Sequence, residues 1–449
     1  MCGKSLGGQQ GAWGRMRPGL SFRQGTGQTD RFKGYEEQRR SPDSAMTRSL
    51  HSVSHSPTAS PAPHGGGRVL HIVTRYLRGG SERRIADAMN ALEEFDHDLV
   101  VGAESDVKLA TANLPAREVL LEPTLVKKPS PYSDLIALKR MIQVIKERRP
   151  RIVFTHQSKA GVLGRIASRL AGRVPVVHSL SMASFGPGYS TIQSSVFKQL
   201  EVRLASSTTA YTVVGADLCR RFIEAGVPAS KLHLIRSGVP LPIIAESREQ
   251  LRLEIAEKYE VSPGRPWLIH VGSLEARKNV MLLPEVLRLS HELSPDRPPH
   301  LFIVGDGVLS AELKRALSRA GLERHSTMTG YVNGAGPFIK ASDSLILLSS
   351  VEGLPQVLVQ AASVGTPFAA FEVDGVREML TLGARGTAVD PGDLESVARA
   401  VVAHLDNTPV LQEIDVGTWS PQTIRKGYRG LVREILSEPG NSPLRLSRS

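Results

Sequence analysis

Cysteine is scarce in this sequence, and long apolar runs are missing from it. Two cysteines, Cys2 and Cys219, occur in 449 residues, which excludes a disulfide framework and a thiolate metal cluster. Apolar runs such as Leu345–Leu348 are far shorter than the roughly 20 residues that a membrane-spanning helix requires. These absences predict a protein of a reducing cytoplasm that is not an integral membrane protein.

Acidic residues are outnumbered by basic ones, which raises the question of a nucleic-acid partner. The formal net charge is +12, and the first 66 residues alone carry +5 of it. The remaining +7 is spread over the rest of the chain, so no dense basic surface for a phosphate polymer is expected. The body of the chain is mildly basic, as suits a site for anionic nucleotides or lipid phosphates, and we predict no nucleic-acid partner.

Segment 1–66 differs in composition from the rest of the chain. Gly, Gln, Ser, Arg and Pro dominate it, so it cannot bury enough apolar surface to offset the entropy of ordering. We predict a disordered basic extension there and a loose tail at 438–449. The extension has neither the apolar core of a secretory signal nor the amphipathicity of a transit peptide. The sequence leaves open whether translation starts at Met1 or at Met46.

Between the tails, short β-branched runs alternate with helix-period segments. Ser81–Leu92 is typical of the helices. The predicted strands are Val69–Thr74, Leu99–Gly102, Ile152–Thr155, Val174–Val177, Tyr211–Val214 and Leu232–Ile235, followed by Trp267–Val271, Leu301–Val304, Thr327–Gly330, Ser344–Leu348 and Phe368–Phe371. The alternation predicts an α/β fold with two Rossmann-like domains, each a doubly wound parallel sheet, facing a cleft. The predicted parts are a first domain at 67–240, a linker at 241–265, a second domain at 266–410 and a helical segment at 411–437.

A glycine pair follows the first predicted strand. Gly79 and Gly80 allow a loop to bring its backbone amides close to an anion, and Ser81 can cap the next helix. A plain tight turn between a strand and a helix has the same sequence, so both interpretations remain open for this loop alone.

A sharper pattern lies between positions 347 and 367. A buried strand ends in small polar residues, and Glu352 and Gly353 form the turn before a helix. Glu352 is thus expected at the carboxyl end of a strand, where open α/β sheets bind ligands. Gln360 follows one to two helical turns later, within reach of another part of an elongated ligand. A carboxylate and an amide so placed suit hydroxyl-rich ligands such as a sugar and a ribose.

A lysine occupies the matching place in the first strand unit of the second domain. Val271 ends that strand, and Lys278 lies at a predicted helix start, well placed to neutralise a diphosphate. A solvated surface lysine would fit the same local sequence. The two segments at matching places in one sheet favour a shared site for a phosphorylated, hydroxyl-rich ligand.

With these segments the chain resembles the retaining glycosyltransferases of family four, whose GT-B architecture consists of two facing Rossmann-like domains. The resemblance covers residues 68–437 and includes the runs 155–165, 236–239, 304–307 and 390–393. It implies that the helix after Trp419 crosses back to the first domain.

The resemblance also implies roles for individual residues. The family's pair of glutamates eight positions apart corresponds to Glu352, facing the donor sugar, and Gln360, facing the nucleotide ribose. The lysine on the donor diphosphate corresponds to Lys278. The remaining donor-binding positions implied by the resemblance are Gly79, Gly80, Ser273, Arg277, Gly353 and Leu354.

Three positions depart from the family pattern. Gln360 replaces the second glutamate, so it can bond a ribose hydroxyl but carries no charge. Ser273 stands where relatives often have an arginine, which leaves more of the leaving-group stabilisation to Lys278. Ser181 aligns with a histidine that contacts the donor sugar in relatives, and His178 is the substitute only if the strand shifts its register.

The expected function is transfer of a sugar from a nucleotide sugar to a hydroxyl, with retention at the anomeric carbon. A UDP-sugar is the favoured donor. The acceptor is a polyprenyl-linked saccharide, a polysaccharide precursor or a natural product. No metal and no cofactor are expected, because no Asp-x-Asp cluster lies in the matching segments. The expected location is the cytoplasm, with peripheral contact at the inner membrane face. The alternatives are a non-catalytic sugar-nucleotide binder, an epimerase and a phosphorylase-like enzyme of the same fold.

Overall fold

The computed structural model describes residues 51–53, 65–77, 80–186, 188–405, 414 and 416–437. Most of the predicted N-terminal extension, Gly79 and the tail at 438–449 lie outside the described residues. Within the described ranges, no helix combines the length and the apolar character needed to cross a membrane.

The first domain is built on one eight-stranded sheet. Its strands are β1 His51–Val53, β2 Arg68–Val73, β3 Asp96–Gly102, β4 Glu118–Glu122, β5 Ile152–His156, β6 Val176–Leu180, β7 Ala210–Val213 and β8 Leu232–Leu234. Their order is β1-β4-β3-β2-β5-β6-β7-β8, and every neighbouring pair is parallel except β1 with β4. The central strands are buried runs because helices cover both faces of a parallel sheet.

Within the described residues, α-helices α1 to α7 belong to this domain and to the segment that leaves it. They are α1 Gly80–Ala91, α2 Val107–Asn113, α3 Pro131–Arg148, α4 Ser158–Leu170, α5 Thr191–Leu204, α6 Ala216–Ala225 and α7 Arg248–Tyr259. On one face of the sheet α3 and α4 share an apolar core with Leu70 and Val153. On the other face α1 packs against Val69 and Phe154.

The second domain repeats the plan with six parallel strands. They are β9 Trp267–Val271, β10 His300–Val304, β11 Ser326–Gly330, β12 Ser344–Leu347, β13 Phe368–Phe371 and β14 Gly386–Val389, in the order β11-β10-β9-β12-β13-β14. The helices are α8 Leu283–Leu293, α9 Ser310–Arg319, α10 Gly336–Ala341, α11 Gln356–Ser363, α12 Val376–Thr381 and α13 Leu394–Leu405. The predicted α/β class with two doubly wound parallel sheets is confirmed.

Three segments differ from the sequence-based picture. In the extension predicted to be disordered, His51–Val53 adds an antiparallel edge strand beside β4, with Ser52 opposite Leu120. The predicted linker contains α7, which buries Leu251 and Ile255 at a four-residue spacing and packs beside α10. The strand β14 lies beyond the last predicted strand and forms one edge of the second sheet.

The last described helix, α14 Pro421–Ser437, packs on the first domain. Its buried residues share a core with Val69 and Phe154 of the first sheet. The Arg429 side chain donates to the carbonyl of Ala91 at 2.8 Å. The chain therefore leaves the first domain, builds the second, and returns.

Charged contacts join the two domains below the cleft. Arg221 on α6 donates to both oxygens of Asp374 in the second domain, at 2.9 and 2.5 Å. Glu378 on α12 accepts from the amide of Ala216 at 2.6 Å and from the guanidinium of Arg236. Burial raises the pKa of Asp374 and of Glu378, and the nearby arginines oppose that rise. These contacts fix the orientation in which the two sheets present their carboxyl ends.

Candidate active site

A cleft of about 1270 Å³ separates the carboxyl ends of the two sheets. The first domain contributes the segments after β2, β5 and β6, and the second domain those after β9, β10 and β12. Both domains of an open α/β pair bind ligands at these strand ends, because the turns there expose backbone amides and polar side chains.

Lys278 and Glu352 meet on the second-domain wall. The Nζ atom of Lys278 lies 2.5 Å from Oε1 of Glu352, and the two side chains are only 14% and 10% exposed. Their positions are 74 residues apart in sequence, so neighbouring strands β9 and β12 bring them together. The structure therefore brings together the two residues predicted to act on the donor.

The two loops that carry this pair hold each other. Asn279 adopts a left-handed backbone conformation with φ of 49°, and its side-chain amide donates to the carbonyl of Leu348 at 2.9 Å. In return, the amide of Ser350 donates to the carbonyl of Arg277 at 2.9 Å. These bonds determine where Lys278 and Glu352 point, because each lies close to an anchored residue.

Arg277 links the same pair to the mouth of the cleft. Its Nη1 atom lies 3.3 Å from Oε1 of Glu352, and its Nη2 atom lies 2.8 Å from Oε1 of Glu275. Ser273 donates to the same oxygen of Glu275 at 2.9 Å. Desolvation would raise the pKa of Glu275, but the hydrogen bond from Ser273 and the charge of Arg277 outweigh it and lower that pKa. Ser273 and Arg277 are thus tied to one carboxylate beside the cleft.

His270 lies beneath this cluster and has no predicted role. It is a polar residue inside the apolar strand β9, and its buried Nε2 atom has no hydrogen-bond partner among the described residues. Burial, assisted by the charge of Lys278, lowers the pKa of His270 to about 4. The ring is therefore neutral near pH 7 and adds no positive charge under Lys278.

The first-domain residue Ser181 touches the second domain through its backbone. A Cβ atom at Gly353 would come within 1.9 Å of the Ser181 carbonyl oxygen, so only glycine fits there. The Ser181 side chain lines the cleft. The predicted turn of Glu352, Gly353 and Leu354 is thus part of the cleft wall at a point of close approach between the domains.

His178 borders the same wall but is committed to the fold. Its Nδ1 atom lies 2.9 Å from the hydroxyl of Thr155, and its ring packs against Gly161. Burial lowers the pKa of His178 well below its usual value, and the charge of Arg165 adds to the effect. The side chain is 2% exposed, which favours the strand role over a sugar contact.

Gln360 lies on α11 away from the residues that line the cleft. Its side-chain amide donates to the carbonyl of Pro240, in the segment between the domains, at 3.1 Å. The cleft-facing residues of that helix are Gln356 and Val357. The assignment of Gln360 to the ribose stays a prediction. Of the glycine loop, Gly79 lies outside the described residues and Gly80 begins α1.

Two further cleft residues have no predicted role: Arg75, after β2, and Gln157, after β5. Arg75 lies shortly before the glycine pair, and Gln157 lies inside the run 155–165 that carries the resemblance. Sequence patterns therefore point to both segments, but the contact between Arg75 and Gln157 forms only in the folded chain. Metal-ligating side chains form no group of three or more within the described ranges.

Two family models match this chain. The model for glycosyl transferases group 1 matches residues 265–407, and the model for a glycosyl transferase 4-like domain matches residues 79–238. The matches cover the two domains on either side of the cleft. The chain is a glycosyltransferase of the family-four type.

Curated relatives of this glycosyltransferase extend over most of its length. A UDP-Gal:α-D-GlcNAc-diphosphoundecaprenol α-1,3-galactosyltransferase of Escherichia coli is 27% identical over 77% of this chain and 89% of its own. An α-D-kanosaminyltransferase of Streptomyces kanamyceticus is 28% identical over 55% of this chain and 65% of its own.

Solved structures share the fold of this glycosyltransferase. HepE of Anabaena in complex with UDP aligns with a TM-score of 0.65 at 19% identity, covering 82% of this chain and all of that one. WaaG, a glycosyltransferase involved in lipopolysaccharide biosynthesis, aligns with a TM-score of 0.57 at 15% identity over 84% of this chain and 97% of that one. The GT-B architecture expected from the sequence is confirmed.

Proposed function

We propose that this glycosyltransferase moves a hexose from a UDP-sugar to a hydroxyl of a saccharide carried on a polyprenyl diphosphate, with retention at the anomeric carbon. The observation that carries the proposal is the Lys278–Glu352 pair in the cleft. An ammonium and a carboxylate 2.5 Å apart offer one group for a diphosphate and one for sugar hydroxyls at the same point.

Lys278 acts on the leaving group in this proposal. One of its three N–H donors is directed to Glu352, so the other two can serve phosphate oxygens. Arg277 lies beside it with a second cationic head. Negative charge grows on the departing diphosphate in the transition state, and cations held in fixed positions beside it stabilise that charge.

Glu352 orients the donor sugar. Its Oε1 atom accepts from both Lys278 and Arg277, which leaves Oε2 as the acceptor for a sugar hydroxyl. The cations hold the carboxylate in place before the substrate arrives. This preorganisation keeps the cost of positioning low when the sugar binds.

Retention follows from reaction on one face of the sugar. The departing phosphate oxygen accepts the proton of the acceptor hydroxyl as the new glycosidic bond forms and the old one breaks. A protein general base is then unnecessary, and the chain supplies orientation and charge stabilisation. No metal is included, because Lys278 and Arg277 provide the positive charge that a divalent cation would otherwise bring.

The acceptor class rests on the relatives. The galactosyltransferase of Escherichia coli acts, as its name states, on a saccharide attached to diphosphoundecaprenol, and its match covers 77% of this chain. A lipid-linked acceptor would place the enzyme in the cytoplasm with peripheral contact at the inner membrane face. The kanosaminyltransferase relative supports a second candidate, transfer to a small natural product.

A donor screen followed by product analysis tests the proposal. The folded protein is first heated with UDP-glucose, UDP-galactose, UDP-N-acetylglucosamine and GDP-mannose, since a ligand that binds only the native state raises the melting temperature. The stabilising donor is then incubated with a prenyl-diphosphate-linked N-acetylglucosamine, and the anomeric configuration of the product is read by NMR. Donor binding without transfer to any acceptor would replace the proposal with the sugar-nucleotide binder. Release of an isomerised nucleotide sugar would indicate the epimerase.

A further inference from the structure

Gln157 has an unusual backbone for a residue with a side chain. Its φ is 65° and its ψ is 165°, a region that is essentially restricted to glycine. It lies between β5 and α4, on the first-domain wall of the cleft. Strained backbone of this kind persists where the surrounding structure requires it and clusters at functional sites.

The Gln157 side chain explains what the conformation achieves. Its Oε1 atom accepts from the backbone amide of Arg75 at 3.1 Å, and its Nε2 atom donates to the backbone carbonyl of the same residue at 2.8 Å. One amide group thus satisfies both polar backbone groups of Arg75. Next to this contact, the amide of Ala160 donates to the hydroxyl of Thr74 at 2.9 Å. The turn after β5 therefore fixes the backbone of the loop after β2.

The Arg75 side chain lines the cleft, and its guanidinium N–H donors are available for a ligand. Its nearest carboxylate is Glu104, whose Oε2 lies 3.7 Å from Nη1, beyond hydrogen-bond distance. Within the described ranges its guanidinium makes no hydrogen bond, and it is 37% exposed. Lys127 borders the same wall, and its backbone amide donates to Oε1 of Glu104 at 3.1 Å. Glu104 thus lies between the Arg75 guanidinium and the Lys127 backbone, and both basic residues line the cleft.

We propose that Arg75, with Lys127, binds a phosphate or diphosphate group of the acceptor, and that Gln157 is the positioning residue that aims Arg75. The proposal rests on the proposed function and adds the acceptor's anionic group to it. The donor diphosphate has its own cations, Lys278 and Arg277, on the opposite domain. A planar guanidinium with unused donors is the protein group best matched to two oxygens of a phosphate.

The first test measures binding and turnover of Arg75→Gln. Three acceptor probes are used: N-acetylglucosamine with a short prenyl diphosphate, N-acetylglucosamine 1-phosphate, and the neutral octyl glycoside. Loss of a charge-assisted pair is expected to raise the KM or Kd of the phosphorylated probes by about tenfold or more. The neutral probe and the Kd of UDP are expected to stay unchanged. The phosphorylated probe that the wild type prefers identifies the source of the phosphate.

The second test separates positioning from folding. Gln157→Gly relaxes the backbone and removes both hydrogen bonds to Arg75, so the melting temperature is expected to stay near that of the wild type while KM for the phosphorylated acceptor rises. Glu260→Gly is the matched control, because Glu260 also has a positive φ, 55°, and lies outside the cleft. The double variant Arg75→Gln, Gln157→Gly should be no worse than Arg75→Gln alone, since both changes remove one interaction.

Three outcomes would overturn the proposal. Weaker UDP binding in Arg75→Gln would assign Arg75 to the donor. Equal losses with the neutral and phosphorylated probes would remove the anionic group from the acceptor. A lower melting temperature in Gln157→Gly without any change in acceptor KM or Kd would make Gln157 structural. The binding measurements in UDP-saturated protein stand without turnover, so they distinguish failure of this proposal from failure of the proposed transfer.

Discussion

Lys278 and Glu352 neutralise each other at 2.5 Å across two loops that are themselves cross-linked by Asn279 and Ser350. The contact leaves two N–H donors of Lys278 and the Oε2 atom of Glu352 for a ligand. A diphosphate offers Lys278 more negative charge than one carboxylate does, and a sugar hydroxyl offers Glu352 a neutral donor.

The first prediction concerns this pair. Lys278→Ala and Glu352→Ala should each lower kcat by a hundredfold or more, on the order of 2–4 kcal/mol, by analogy with the removal of one transition-state hydrogen-bond donor. Initial rates at saturating donor measure the effect. Lys314→Ala, on the exposed side of α9, is the matched control and should retain full activity. Normal turnover by Lys278→Ala would contradict its assignment to the leaving group.

The second prediction contrasts the side chain of Ser181 with its backbone. The Ser181 hydroxyl makes no hydrogen bond in the described part of the chain, whereas its carbonyl lies against Gly353. Ser181→Ala should therefore keep a substantial part of the rate. Gly353→Ala should lose most of it, because the added Cβ would force the domains apart. The same assay measures both variants. Loss of activity in Ser181→Ala would indicate that the Ser181 hydroxyl contacts the donor sugar, as the aligned histidine does in relatives.

The third prediction concerns divalent cations. Because Lys278 and Arg277 supply positive charge at the proposed diphosphate position, transfer should persist after extensive dialysis against EDTA. Initial rates before and after chelation, and after addition of Mg²⁺ or Mn²⁺, provide the measurement. Activity that disappears on chelation and returns with either cation would show that Lys278 is not the main phosphate partner.

The fourth prediction concerns the contact between the domains. Asp374→Ala removes both acceptors of the Arg221 guanidinium and leaves a half-buried cation near Gly186. The loss should be on the order of 2 kcal/mol in unfolding free energy, and kcat/KM should fall because the contact no longer fixes the orientation of the two domains. Urea unfolding and small-angle scattering provide the measurements. Arg288→Ala, which breaks only exposed pairs within α8, is the control and should match the wild type.

The fifth prediction is a loss of stability in mild acid. Among the histidines whose pKa burial lowers from 6.5, His270 and His404 fall to about 4, and His156 and His300 fall to about 3. They are neutral in the folded state and take up protons on unfolding between pH 6.5 and these values. Their contribution is therefore complete above pH 6.5 and is lost as the pH falls toward 4.

Urea unfolding at several pH values measures this slope. Each of these histidines should contribute about 1–2 kcal/mol to the decline between pH 7 and pH 5. His270→Leu should give a shallower slope without loss of stability at pH 7.5, because it also removes a buried nitrogen that lacks a partner among the described residues. An identical slope in the variant would show that His270 is charged or solvated in the folded protein.

The sequence predicts the strands best where they are buried on both faces. The run Trp267–Val271 and the run Phe368–Phe371 match β9 and β13 residue for residue, because a central parallel strand is a continuous apolar segment bounded by turns. The strand β4, Glu118–Glu122, begins and ends with charge and is absent from the predicted set. The helix α7 falls in the predicted linker because most of its exposed positions are charged.

The residues of the site differ in the same way: those in local sequence patterns could be predicted, and those that depend on tertiary contacts could not. Glu352 and Lys278 are predictable because each lies in a local pattern that ends a strand. The contact of Gln157 with Arg75 spans 82 residues, and the strained backbone that makes it possible is a property of the folded chain. The ribose contact of Gln360 stays a prediction from a local pattern, and in the folded chain its amide donates to the carbonyl of Pro240.

The return of α14 to the first domain sets an order of events during synthesis. The core that begins with Val69 is completed by Ile435, so the domain that leaves the ribosome first receives this helix only after the entire second domain has been made. Domains usually fold in the order in which they emerge. Here the second domain can close around its own sheet first, while the apolar groove that receives α14 stays open until residue 437 has been translated.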